Sequence, residues 1–136
     1  MSPQWRARFR SLADAVRKGC QLVPDPLPAR RYVGPAGSGR LGCDALVAAW
    51  FAEYAEEGVQ LDDPNLTQYR YLSGELSDAY PVLSMDLGPG CPSGPQSLCP
   101  KPGDLGQTLE AKIIHLQDEH GLSREQVIAW LDAHSF

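Results

Sequence analysis

Apolar positions in this chain recur mainly at helical intervals. Over residues 3–18, Trp5, Phe9, Leu12, Ala13 and Val16 share one face and arginines occupy the rest, which predicts a basic, amphipathic N-terminal helix. Ser2 is its expected N-cap, Pro3 its first helical residue and Gly19 its stop. Residues 43–57, CDALVAAWFAEYAEE, carry the strongest helical pattern. Leu46, Val47, Trp50, Phe51 and Tyr54 make a broad apolar face, and Ala48, Ala49 and Ala52 let neighbours approach closely. This is the expected core helix, with Gly58 as its C-cap. A shorter helix is expected from Asp63-Pro64 to Leu72, and Ser77-Asp78 is expected to cap a further turn before Tyr80-Pro81. The final segment, 107–134, predicts a helical pair, about 107–119 and 124–134, broken at Gly121. Its second member opens on a capping box, Ser123 with Gln126, flanked by a Leu122/Val127 staple.

Two Pro/Gly-rich stretches, 21–42 and 88–106, separate these elements as long loops, since proline forbids helix interiors and glycine permits tight turns. The expected fold is therefore mainly α: a single small domain over 1–136 with five or six short helices. No apolar run approaches the roughly 20 residues that cross a bilayer. The opening MSPQWRARFRSLADAV lacks the apolar block of a signal peptide, so a cytoplasmic protein with reduced cysteines is expected.

Charge is distributed unevenly. Residues 1–40 carry eight basic and two acidic side chains, a surplus of +6, whereas residues 41–136 carry four basic and fifteen acidic ones, −11. The expectation is that the two halves fold on each other and offset most of this field.

Several segments resemble reactive motifs. Gly37-Ser38-Gly39-Arg40-Leu41-Gly42 matches G-x-G-x-x-G, yet only Arg31–Val33 offers a leading strand and no βαβ repeat follows. Read as a phosphate-binding loop, Gly34–Leu41 has Arg40 for the lysine and Leu41 for the magnesium-binding hydroxyl residue, so a bound nucleotide or phosphate is not expected. Cys43 at a helix start has the position of an activated thiol, but its alanine- and leucine-rich neighbourhood points to an inert buried cysteine. Tyr69 and Tyr71 beside Arg70 are read as core-edge tyrosines rather than a ligand surface. The C-terminal pair has the grammar of half a helix-turn-helix, but residues 107–136 hold two basic against five acidic side chains, which opposes a DNA backbone. Nucleic acid is not an expected partner except through the basic N-terminal helix.

The four residues Cys91, Cys99, His115 and His120 form C-x7-C-x15-H-x4-H. Two thiolates and two imidazoles suit tetrahedral zinc, and ligation would pin the Pro/Gly loop to the helical pair. The first pair is wider than the usual x2–4 knuckle. A Cys91–Cys99 disulfide is the alternative in an oxidising setting.

Gly42-Cys43-Asp44-Ala45-Leu46-Val47-Ala48-Ala49 and the stretch Ile114–Leu131, IHLQDEHGLSREQVIAWL, carry a family resemblance that extends over about half the chain. They resemble a group of small, largely uncharacterised bacterial and phage proteins. These combine a Cys/Ala-rich helix, a Cys-Pro loop and a terminal H-L-N-D-x-H-x-W-[ST]-R-E-Q-I-A-x-W-like motif. The chain departs from that motif at Gln117 for Asn and Leu122 for Trp. The resemblance implies a phage or prophage setting and carries no activity with it.

No paired carboxylates, Ser/His/Asp set or nucleophile with its base stands out. The expectation is a non-enzymatic binding or regulatory module for a host or phage protein, acting through its acidic surface. Two alternatives are a small enzyme using Cys43 with His115 or His120, or using zinc, and a virion or assembly component joined through Trp5, Phe9 and Val16. Nothing in the sequence fixes the oligomeric state.

Overall fold

The computed structural model describes residues 8–28, 31–54, 69–88, 91–92 and 108–136. Among these, the helices are α1 (Leu12–Leu22), α2 (Ala45–Tyr54), α3 (Tyr69–Ala79), α4 (Leu109–Asp118) and α5 (Arg124–Ala133). A two-stranded sheet, β1 (Val33–Pro35) and β2 (Leu41–Cys43), joins α1 to α2, and a 3-10 turn, Pro81–Ser84, follows α3. The fold is mainly helical and forms one small domain around a single apolar cluster. No described helix is long and apolar enough to cross a membrane.

Helix α2 organises the rest. Every residue from Ala45 to Glu53 is buried, as expected of a helix apolar on all sides. Phe51, Leu46 and Val47 are sealed in the core, where each such side chain contributes about 1.5–3 kcal/mol. The alanines admit α1, which packs along α2 more extensively than any other pair of elements. Glu53 is the exception to the apolar rule. It is fully buried and accepts bonds from the Arg8 backbone N–H at 2.9 and 3.0 Å and from the Tyr80 hydroxyl at 3.0 Å. Those donors satisfy a charge that would otherwise be costly to bury.

The helix bounds differ from expectation at both ends of α1. Arg8–Ser11 are bends rather than the helix predicted over 3–18, and the cap is Ser11, whose hydroxyl accepts from Asp14 N–H at 3.1 Å. The Phe136 backbone oxygen accepts from Leu12 N–H at 2.7 Å, satisfying a second orphan donor of that helix start. Gly19 does not stop α1: the helix runs on to Leu22, and glycine is needed because a Cβ there would overlap the Ala48 backbone. Phe9 packs half-buried on the core and Val16 is fully buried; Trp5 lies outside the described residues.

The core helix predicted over 43–57 begins at Ala45. Asp44 caps it through Val47 N–H at 2.8 Å, and Cys43 belongs to β2. Residues 55–57, and the opening of the helix expected from Asp63, lie outside the described residues. Ser77 and Asp78 do not start a new turn; they are interior to α3.

The Gly-rich hexad is a hairpin turn rather than a nucleotide loop. Val33, Gly34 and Pro35 pair antiparallel with Cys43, Gly42 and Leu41, and Gly39 takes the left-handed φ of 84° that the turn requires. Arg40, the one cation of the lookalike, instead forks onto Asp25 with two bonds of 3.0 Å, while Ser38 donates to the same carboxylate at 2.7 Å. The Ser38 hydroxyl, then Arg40, hold the Asp25 carboxyl below its ordinary range.

Candidate metal centre

Helix α4 and the turn after it position two imidazoles. Thr108 caps α4 by accepting from Ala111 N–H at 3.2 Å, which fixes the helix phase and sets His115 in its last turn. The chain then reverses at Gly121, whose φ of 66° is the left-handed conformation that ends helices. Leu122 N–H reaches back to Leu116 O at 3.1 Å, and the reversal folds His120 against His115. The Ser123/Gln126 capping box then starts α5, with bonds of 3.1 and 2.8 Å. The third residue, Cys91, comes from the Cys-Pro loop, where Trp130 of α5 donates from its indole to Pro92 O at 3.4 Å.

These three side chains converge. Cys91 Sγ lies 3.5 Å from His115 Nε2 and 3.1 Å from His120 Nε2, and the two Nε2 atoms are 3.1 Å apart. Zn–S near 2.3 Å and Zn–N near 2.0–2.1 Å give tetrahedral edges of about 3.3–3.6 Å, close to this triangle. The group could hold a metal ion. His115 is buried and His120 and Cys91 are half-buried. Burial, followed by the neighbouring His120, lowers the His115 pKa, which favours the neutral imidazole that metals require.

Three of the four predicted ligands therefore meet, and the fourth, Cys99, lies outside the described residues. The Cys91–Cys99 disulfide alternative involves the same Cys99, outside the described residues. The Cys43 thiol does not support a catalytic role. It is fully buried, burial followed by the Asp44 carboxylate pushes its pKa far up, and Arg124 Nη1 donates to its sulfur at 3.8 Å. The side chains of Tyr69 and Tyr71 lie outside the described residues.

Local pattern did not reveal a buried polar group beside this centre. Asp44, Gln117 and Arg124 are 6%, 7% and 4% exposed. Gln117 accepts from Ala45 N–H at 2.9 Å, and Arg124 donates to Val23 O at 2.7 Å and Pro24 O at 2.6 Å. Burial pushes the Asp44 carboxyl up to about 7, against the pull of its capping bond from Val47. Asp44, set between a strand and an alanine-rich run, carried an N-cap signal; Gln117 and Arg124 carried none, because their partners are distant in sequence. No family model, curated protein or solved structure matches this chain.

Proposed function

We propose that this chain is a zinc-stapled, non-enzymatic binding or regulatory module of phage or prophage type. The observation that carries the zinc reading is the Cys91–His115–His120 triangle, with its 3.1–3.5 Å edges. One thiolate with two imidazoles favours zinc over oxygen-seeking ions such as magnesium or calcium. Cys99, eight residues after Cys91, supplies the fourth ligand and closes the coordination shell. A closed shell makes the ion structural: it fastens the Cys-Pro loop to the α4–α5 turn, and its ligation free energy is folding free energy. Such a thiolate site suits the reducing cytoplasm of a host cell.

A structural ion leaves the exterior for recognition, and the acidic excess of residues 41–136 suits a basic face on a host or phage protein. The burial of Cys43 and its raised pKa favour this reading over a cysteine-dependent enzyme. Elemental analysis of protein purified without a metal-binding tag is the test. One zinc per chain, lost in Cys91→Ala, His120→Ala and Cys99→Ala, supports the closed site. Retention of full zinc in Cys99→Ala would instead point to an open fourth position, and absence of zinc from all preparations would overturn the proposal.

A further inference from the structure

Away from the metal triangle, the described residues line a cleft of about 250 Å³. Leu27 and its flanking prolines line it together with Gly121–Arg124 and the buried Asp44 and Gln117. Its volume falls below the roughly 300–1,000 Å³ typical of pockets for drug-sized ligands, so it suits a small molecule.

Its chemistry is mixed in sign. Asp118 contributes a carboxylate and Asp44 a buried carboxyl that titrates at about 7, while Arg31 and Arg124 contribute guanidinium groups. A ligand with one charge would meet like charges in the same lining; a ligand carrying both signs finds a complement for each. Two of these groups are oriented by the chain itself. Tyr32 donates to Asp118 Oδ2 at 3.1 Å, and Arg31 donates to Pro35 O at 2.9 Å.

The buried part of the lining is incompletely satisfied. Gln117 Nε2 reaches Asp44 Oδ2 only at 3.4 Å, at the long limit of a hydrogen bond. Arg124 Nε is a buried donor without a partner among the described residues. An orphaned buried donor is rare in folded proteins and calls for an acceptor. Arg124 is also the first residue of α5, whose N-terminal dipole favours a negative group at the same place.

We propose that this cleft binds a small zwitterion of the α-amino acid class, its ammonium facing Asp118 and Asp44 and its carboxylate facing Arg31 and Arg124. The site is separate from the metal ligands, although Gln117 and Asp118 lie between His115 and His120 in sequence, so metal content is measured on each sample. The test is an amide- and side-chain-resolved NMR titration of the full chain with glycine, L-serine and L-leucine, using propionate and ethylamine as single-charge controls. Saturable shifts are expected at the Gln117 side-chain amide, the Ser123 N–H and the Arg124 Nε–H with the amino acids only. Asp118→Asn and Arg31→Gln each remove a surface-reachable charge and should weaken binding roughly tenfold at unchanged zinc content. No saturable shift with any of the three amino acids would overturn the proposal. Equal binding of either control, or full affinity in both variants, would overturn it as well.

Discussion

Gly19 of α1 lies against the Ala48 backbone of α2 so closely that a methyl group on Gly19 would occupy the space of the Ala48 carbonyl. Replacing an interior helical glycine by alanine ordinarily favours the helix by ~1 kcal/mol. Here the sign reverses, because the added carbon meets backbone, which cannot rotate away as a side chain would. Gly19→Ala should lower unfolding free energy by at least ~1–3 kcal/mol, the usual cost of overpacking. Urea denaturation reads this directly, and a stabilised variant would refute the close α1–α2 contact.

The same contact explains what local sequence could and could not tell. The apolar stripe Leu12-Ala13-Val16 located the inward face of α1 correctly, and all three residues are buried. Its ends were misplaced because they are set at a distance. Gly19 reads as a stop until Ala48 is beside it, and the cap falls at Ser11, where Phe136 O accepts a second N–H of the helix start. The α5 start was legible because its capping box is closed within four residues. Ligand types and spacing pointed to His115 and His120, but their approach depends on the reversal at Gly121, and their approach to Cys91 on Trp130 holding Pro92. Arg124 carried no local signal of burial, since its carbonyl partners Val23 and Pro24 are about a hundred residues away.

Cobalt offers a direct probe of the triangle. Tetrahedral Co²⁺ bound by Cys91 should show a thiolate-to-metal charge-transfer band and intense visible absorption. Both should change on Cys91→Ser and be lost on replacing both histidines. Chelation should also lower the thermal midpoint, since the ion stabilises only the folded state. A midpoint indifferent to chelator in a sample that had bound metal would show that the ion adds nothing to the fold.

Asp44 should make stability depend on pH in an unusual direction. Its carboxyl titrates at about 7 in the folded chain. In the unfolded chain it titrates near 3.9. Between these values the folded state holds a proton that the unfolded state has released. This contribution to stability is therefore complete at low pH and is lost as pH rises from about 4 to about 7. Asp44→Asn keeps a good N-cap but carries no charge, so the slope should vanish. Above about pH 7 the variant should be the more stable protein, by on the order of a few kcal/mol. Urea midpoints across this range decide the matter, and an unchanged slope in the variant would assign the pH dependence elsewhere.

Arg124 ties α5 to the segment after α1 by donating to two carbonyls, with almost none of its surface in water. Arg124→Met preserves much of the volume but leaves Val23 O and Pro24 O without these donors. Each orphaned acceptor costs ~1–3 kcal/mol, so a destabilisation of roughly 2–5 kcal/mol is expected. Arg124→Lys should recover only part of it, because an ammonium is a compact point donor and cannot reproduce the planar fork. Full recovery by lysine would show that charge, and not the two-carbonyl clamp, sets the requirement.

Thiol accessibility separates the metal reading from a cysteine-dependent enzyme. Cys43 is sealed in the core and its pKa is pushed up by burial, so thiolate is scarce and alkylating reagent has no path to it. Cys91 is half-buried, and a bound ion would occupy its sulfur. In native protein containing zinc, iodoacetamide near neutral pH should modify neither residue at an appreciable rate. After chelation Cys91 should label, with Cys43 still protected until the chain unfolds. Peptide-resolved mass spectrometry distinguishes the two positions. Rapid modification of Cys43 in the folded, metal-loaded protein would mean that its thiolate is both formed and reachable, and would restore Cys43 as a candidate nucleophile.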